Sequence, residues 1–161
     1  MSVKWEQAAY SFQDIAERVV VFRTGVVLSP KGGAIEKLVK PIKYLIGSPL
    51  GSGKQYVPWI HLEDICGIFL KGIEDTSLNG TYNGVAEEHC TNKELTEAIA
   101  KELGKKLWAP KVPAFVLKLL FGEMAVIVLE GSRISNEKIK KAGYKFQYSS
   151  LSNALKNLLK S

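Results

Sequence analysis

Trp5, Ala8, Ala9, Phe12, Ile15 and Ala16 recur at the three- and four-residue spacing of one helix face, which predicts an amphipathic helix over residues 3–17. The pattern changes at Arg18. Val19 to Phe22 is a continuous, mostly β-branched run and predicts a strand buried on both faces, as in a parallel sheet covered by helices. The run extends toward Leu28, and the turn Ser29-Pro-Lys-Gly-Gly33 follows. Two more segments read as strands, Tyr56 to His61 and Gly80 to Val85. Helices are expected from Ala34 to about Tyr44, and from Glu63 with Ile65, Ile68, Phe69 and Ile73 turned inward.

Thr91-Asn-Lys-Glu94 has the spacing of a capping box, a hydroxyl bonding forward and a carboxylate three residues on bonding back. It opens a helix through Leu95, Ile99 and Leu103 that Gly104 stops. Pro113 suits a first helical turn, and the apolar segment 114–129 reads as helical with a break near Gly122. Short helices are expected over 136–142, ended by Gly143, and over 151–160. Alternating helices and strands give an α/β chain. Three strands make a small sheet, and the first is too apolar for an edge, so the sheet calls for strands from another chain or from an upstream half.

The length of 161 residues suits a single unit with a real core, and 46% hydrophobic with 24% charged residues is a folding composition. No secretory leader is expected from the polar start MSVKWEQAAY. The most apolar stretch, 112–131, carries Lys118, Glu123 and Glu130 and reads as core, not as a membrane span. Cys66 and Cys90 form no CxxC pair, so a reducing, cytoplasmic compartment is expected, with Cys66 as a small core filler. The net charge is +6, and from Arg133 onward seven basic residues face one acid, Glu137. Lysines distributed on amphipathic helices form a solvated face, and no nucleic-acid motif accompanies them.

The segment Ile46 to Asp64, IGSPLGSGKQYVPWIHLED, invites a phosphate-cradle reading that its spacing defeats. The P-loop pattern places a glycine five residues before Gly53, where Ser48 stands, and a hydroxyl after Lys54, where Gln55 stands. His61, Glu63, Asp64 and Cys66 do not make a convergent ligand set, so no metal site is expected; Asp64 is placed to start a helix. No G-x-S-x-G turn and no G-x-G-x-x-G fingerprint occur, and no catalytic residue is assigned within the chain.

Arg23-Thr-Gly-Val-Val-Leu-Ser-Pro-Lys-Gly-Gly-Ala34, then Gly51-Ser-Gly-Lys-Gln-Tyr-Val-Pro-Trp-Ile-His-Leu-Glu-Asp64, then Gly80-Thr-Tyr-Asn83 form an ordered series. Val112-Pro-Ala114, Phe121-Gly-Glu123, Glu130-Gly-Ser-Arg133 and Ala142-Gly-Tyr-Lys-Phe146 continue it. Across essentially the whole chain the series resembles the carboxyl-terminal half of extended short-chain dehydrogenase/reductases of the NAD-dependent epimerase/dehydratase, sugar-nucleotide epimerase-like kind. Trp5-Glu6 with Ala8-Ala9 looks like the family helix that follows or overlaps the Tyr-x-x-x-Lys catalytic segment.

The resemblance implies the carboxyl-terminal part of a Rossmann-like parallel-sheet domain, 1–28 and 55–83, with a smaller, mainly helical substrate-binding portion, 29–54 and 84–161. It places the glycine-rich pyrophosphate turn and the catalytic tyrosine upstream. NAD or NADP is the implied cofactor, with Gly25, Val26 and Val27 as its contacts, and Lys54, Gln55, Trp59 and Arg133 face the substrate. The implied partners are a small-molecule substrate, a sugar nucleotide or related alcohol, and the missing amino-terminal Rossmann half or a second copy. Sugar-nucleotide relatives commonly place an arginine where Val57 stands here, so a diphosphate-binding fork is absent from that position. Lys4 lies too close to Glu6 for the usual catalytic lysine. The chain alone is expected to be inactive. The rival readings are a non-enzymatic NADP-binding sensor or partner-binding protein, and a basic nucleic-acid module.

Overall fold

The structure, a computed structural model, describes residues 2–108 and 131–160. The expected helix over 114–129 lies outside them. Helix α1 (Ser2–Tyr10) leads to β1 (Val20–Thr24) and β2 (Val26–Leu28), and α2 (Gly33–Lys43) follows. Next come β3 (Tyr56–Val57), β4 (Trp59–His61) and α3 (Leu62–Glu74). The remainder is β5 (Gly80–Gly84), β6 (Cys90–Thr91), α4 (Asn92–Glu102), α5 (Glu137–Lys141) and α6 (Leu151–Leu159).

The strands pair two by two: β1 with β5 parallel, β2 with β4 parallel, and β3 with β6 antiparallel. Parallel pairs separated by helices are the α/β arrangement expected. Both long strand candidates break in the middle, at Gly25 and at Pro58, and proline's missing N–H is the reason at the second. Strand β6 gave no signal in the sequence because two residues are too few to show a period.

Two apolar clusters hold the elements. In one, Ile35, Val39 and Ile42 of α2 meet Leu28, Trp59, Leu95, Ile99, Leu155 and Leu158. In the other, Ile65 and Ile68 of α3 meet Ile60, Leu78, Tyr82 and Ile139. The capping box is formed: Thr91 Oγ1 accepts from Glu94 N–H at 3.3 Å and Glu94 Oε2 accepts from Thr91 N–H at 2.7 Å.

Four expectations are corrected. The first helix ends at Tyr10, and the outward-facing residues include the apolar ones: Trp5 is 74%, Phe12 56% and Ile15 80% exposed. Its polar side meets the sheet, where Glu6 takes both Nε and Nη2 of Arg23 and the Tyr10 hydroxyl bonds the Thr81 hydroxyl. Strand β1 is half-buried at Val20 to Phe22 and exposed at Arg23 and Thr24, instead of buried on both faces. On α3, Ile65 and Ile68 point inward, but Phe69 and Ile73 stay 48% and 73% exposed. Cys66, on the same outward side, is exposed and fills no core; Cys90 is the buried thiol.

The two thiols therefore differ in chemistry. Burial first, then the Glu88 and Glu94 charges, push Cys90 up to about 12. At pH 8 a thiol reagent should titrate Cys66 quickly and Cys90 only on unfolding, because the thiolate is the nucleophile. Two equally fast thiols in the native protein would contradict this burial.

Helix α2 ends in a Schellman motif, Leu45 N–H to Ile42 O and Ile46 N–H to Pro41 O, both 3.0 Å. The motif needs a left-handed residue at the position after the cap, and Leu45 fills it with φ 61°. A side chain there costs about 1–2 kcal/mol, whereas glycine loses about 0.5–1 kcal/mol of chain entropy. Leu45→Gly should thus raise stability by about 0.5 kcal/mol in urea melts. A clear loss would show that the Leu45 side chain contributes packing that outweighs its strain.

Candidate functional site at the strand crossing

Strands β1 and β5 run side by side from Val20↔Gly80 to Thr24↔Gly84, and both end together. Gly25 N–H donates to Gly84 O at 3.0 Å, still on the β5 side. One residue later, Val26 N–H donates to Pro58 O at 2.6 Å, on the β4 side. The chain thus crosses from one parallel pair to the other within two residues. A Cβ on Gly25 would lie 2.4 Å from Pro58 O and 3.0 Å from Val85 Cγ1, so only a hydrogen fits. In open α/β sheets ligands bind outside the carboxyl ends of the strands, where connections change direction. Gly25 lies just past the carboxyl ends of β1 and β5, whereas Val26 and Val27 open β2, half-buried against the two clusters.

The four residues assigned to substrate fall into two groups. Lys54 and Arg133 are exposed. Gly131, two residues before Arg133, packs so tightly on β3 that its Cβ would meet Tyr56 O. Gln55 and Trp59 are buried, 9% and 1% exposed. Gln55 Nε2 donates to Leu50 O at 3.0 Å and closes the glycine turn, while Asn92 Oδ1 holds the same turn through Leu50 N–H at 2.7 Å. Trp59 lies in the apolar cluster with its indole N–H on Glu88 O at 2.9 Å.

His61, Glu63 and Asp64 are engaged within the fold. His61 Nδ1 accepts Glu63 N–H at 3.1 Å and so caps α3; its Nε2 lies 3.1 Å from Asn157 Oδ1, and its ring stacks on Tyr148 at 3.7 Å. An Nδ1 that accepts leaves the proton on Nε2, which donates to Asn157. Asp64 is fully buried and accepts from Gln147 N–H at 2.8 Å, Tyr148 N–H at 3.0 Å and the Tyr144 hydroxyl at 3.2 Å. Burial and the Asp64 charge push the Tyr144 phenol upward, so it remains a donor. Among the described residues no group of three His, Cys, Asp or Glu converges on a metal position.

The basic carboxyl-terminal segment is partly engaged as well. Lys138 donates to Thr81 O at 2.8 Å over the Tyr82 ring, and Lys140 lies between Glu87 at 2.9 Å and Glu137 at 3.7 Å. No helix among the described residues is long and apolar enough to cross a membrane.

A parallel α/β unit with a tight crossing at its carboxyl edge defines a Rossmann-like class of protein. Residues 112–158 match the family described as a domain of unknown function, DUF1731. The mouse epimerase family protein SDR39U1 is 38% identical over 157 residues, 97% of this chain and 53% of that protein. The crystal structure of human epimerase family protein SDR39U1 (isoform 2) with NADPH superposes with a TM-score of 0.85 at 35% identity, over 89% of this chain and 49% of that one. A nucleoside-diphosphate sugar epimerase from Corynebacterium glutamicum gives 0.76 at 25% identity, over 98% and 29%. Over nearly its whole length the chain is similar to the carboxyl-terminal half of these epimerase-family proteins and shares their Rossmann-like fold. It spans about half the length of the curated relatives it matches.

Proposed function

We propose that this chain is the carboxyl-terminal half of an NAD(P)-dependent epimerase- or reductase-like protein acting on a sugar nucleotide or related alcohol, and that it is inactive alone. The observation that carries the reading is the crossing at Gly25, just past the carboxyl ends of the parallel strands β1 and β5 and leading into the half-buried valines that open β2. That surface suits the flat nicotinamide end of a dinucleotide. It does not suit the pyrophosphate, because the chain holds no G-x-G-x-x-G turn. When bound, the cofactor would supply hydride transfer. The part of this chain is to shape the wall beside the ring with Gly25, Val26 and Val27, and to present Lys54 and Arg133 to an anionic substrate group. Gln55 supports the turn that carries Lys54, and Trp59 anchors β4 in the core. The absence of an arginine at Val57 favours an alcohol whose diphosphate, if it has one, is held elsewhere. A cytoplasmic location fits two free cysteines.

The test is a titration of the 15N-labelled chain with NADPH. Weak binding should move the amides of Thr24 to Val27, with no micromolar affinity. Micromolar affinity, or shifts confined to other parts of the molecule, would overturn the reading.

A further inference from the structure

Helix α2 buries one face and ends in an exposed apolar tip. Ile35, Val39 and Ile42 lie in the core, while Lys37, Lys40 and Lys43 are exposed. Lys37, Lys40 and Tyr44 recur at the spacing of one helix face, so the lysines lead directly to the tip. There Tyr44 is 77%, Leu45 45% and Ile46 63% exposed, three apolar side chains in a row at the surface. Single apolar residues on a surface need no reason, but a contiguous group does. The fold supplies none. Leu45 holds the left-handed position of the Schellman motif, where glycine is the unstrained choice. The residue after that position often packs back on the helix, yet Ile46 stays largely in solvent. The backbone bonds of the motif close the turn by themselves, and the chain returns at once to the buried Gly47 and Ser48. Gly47 packs so closely on Ile42 that a Cβ would lie 2.4 Å from its Cγ1.

A strained, exposed leucine that glycine would improve upon points to a contact outside the chain. Protein and lipid are the two occupants to weigh. A standard protein interface buries about 800 Å² on each partner, which three side chains on one turn do not supply. A membrane surface asks for less: a few apolar and aromatic side chains at headgroup depth, with cations beside them. Tyrosine suits that boundary, and lysine stems lie along apolar surface while their ammonium groups meet phosphate. Residues 31–46 carry four lysines and one acid, Glu36, which pairs with Lys40 at 2.6 Å. The carboxyl end of a helix accounts for Lys40 and Lys43 on its own, but not for the apolar residues that follow. We propose that Tyr44, Leu45 and Ile46 insert at the headgroup level of an anionic membrane surface, with Lys37, Lys40 and Lys43 against the lipid phosphates. The contact is peripheral and needs no spanning helix. It is weak, reversible and sensitive to salt, because a short tip and a few surface lysines carry it.

The experiment sediments the chain with vesicles of phosphatidylcholine alone and of phosphatidylcholine with about one-third phosphatidylserine. Binding is expected to the anionic vesicles at low salt, and to fall as salt is raised. Tyr44→Ser with Ile46→Ser should lower the bound fraction about fivefold. Lys37→Gln with Lys43→Gln should bring it down to the level seen with phosphatidylcholine alone. Leu45→Gly is the decisive variant: it should lose vesicle binding while its urea midpoint holds or rises, which a folding defect cannot produce. No binding to either vesicle, equal binding to both, or binding indifferent to these substitutions would overturn the proposal. Self-association seen by light scattering and abolished by Leu45→Gly, with no vesicle binding, would assign the tip to a protein contact and overturn it as well.

Discussion

Asp64→Ala should lower the stability of this chain by about 2–4 kcal/mol, the largest effect expected for a single polar side chain here. The carboxylate is fully buried and accepts the backbone N–H groups of Gln147 and Tyr148 as well as the Tyr144 hydroxyl. Alanine leaves both amides without an acceptor, and an orphaned buried donor costs about 1–3 kcal/mol. Tyr144 keeps one bond, to the Asp64 carbonyl at 2.8 Å, so the loss is not total. The same change should free Tyr148 from the His61 ring, which near-ultraviolet circular dichroism reports. Glu63→Ala, one residue away on the surface, should cost less than about 0.5 kcal/mol. If the two variants melt at the same urea concentration, Asp64 does not hold residues 144–148 to α3.

Gly25→Ala is the second large effect. The added methyl would meet Pro58 O at 2.4 Å, and a backbone oxygen cannot rotate away as a side chain does. The crossing must open, at about 1–3 kcal/mol, and the Val26 N–H to Pro58 O bond must lengthen. Gly84→Ala provides the contrast. Its Cβ would meet the terminal Cδ1 of Ile65 at 2.7 Å, the far end of a side chain that can turn. Gly25→Ala should therefore lose more stability than Gly84→Ala, and any NADPH response at Thr24 to Val27 with it. An unchanged melting curve for Gly25→Ala would show that the crossing is loose, and the nicotinamide-wall reading would lose its support.

Much of the architecture was legible because it is local. The capping box at Thr91 and Glu94, the helix stops at Gly104 and Gly143, and the α/β alternation all depend on neighbours within a few residues. The readings that failed depend on distant parts of the chain. Spacing identified the apolar positions Phe69 and Ile73 but not that this chain leaves them exposed while it covers Ile65 and Ile68. It placed Asp64 at a helix start, where a carboxylate needs no further reason, and could not show that its acceptors' partners come from residues 144–148. Nor could it show that Trp59 lies in the core with its indole N–H on Glu88 O.

The sequence by itself determined most of the elements, their order, the family resemblance and the lack of a G-x-G-x-x-G turn in the chain, because these follow from residue type and from spacing along the chain. Only the tertiary structure decided that Gly25 is required by the Pro58 carbonyl rather than by its own backbone angle. Only it showed that Asp64 is an anchor and that α3 leaves an apolar flank open. Each of those facts is a distance between residues far apart in sequence, and hydrophobic pattern carries no information about which surfaces finally meet.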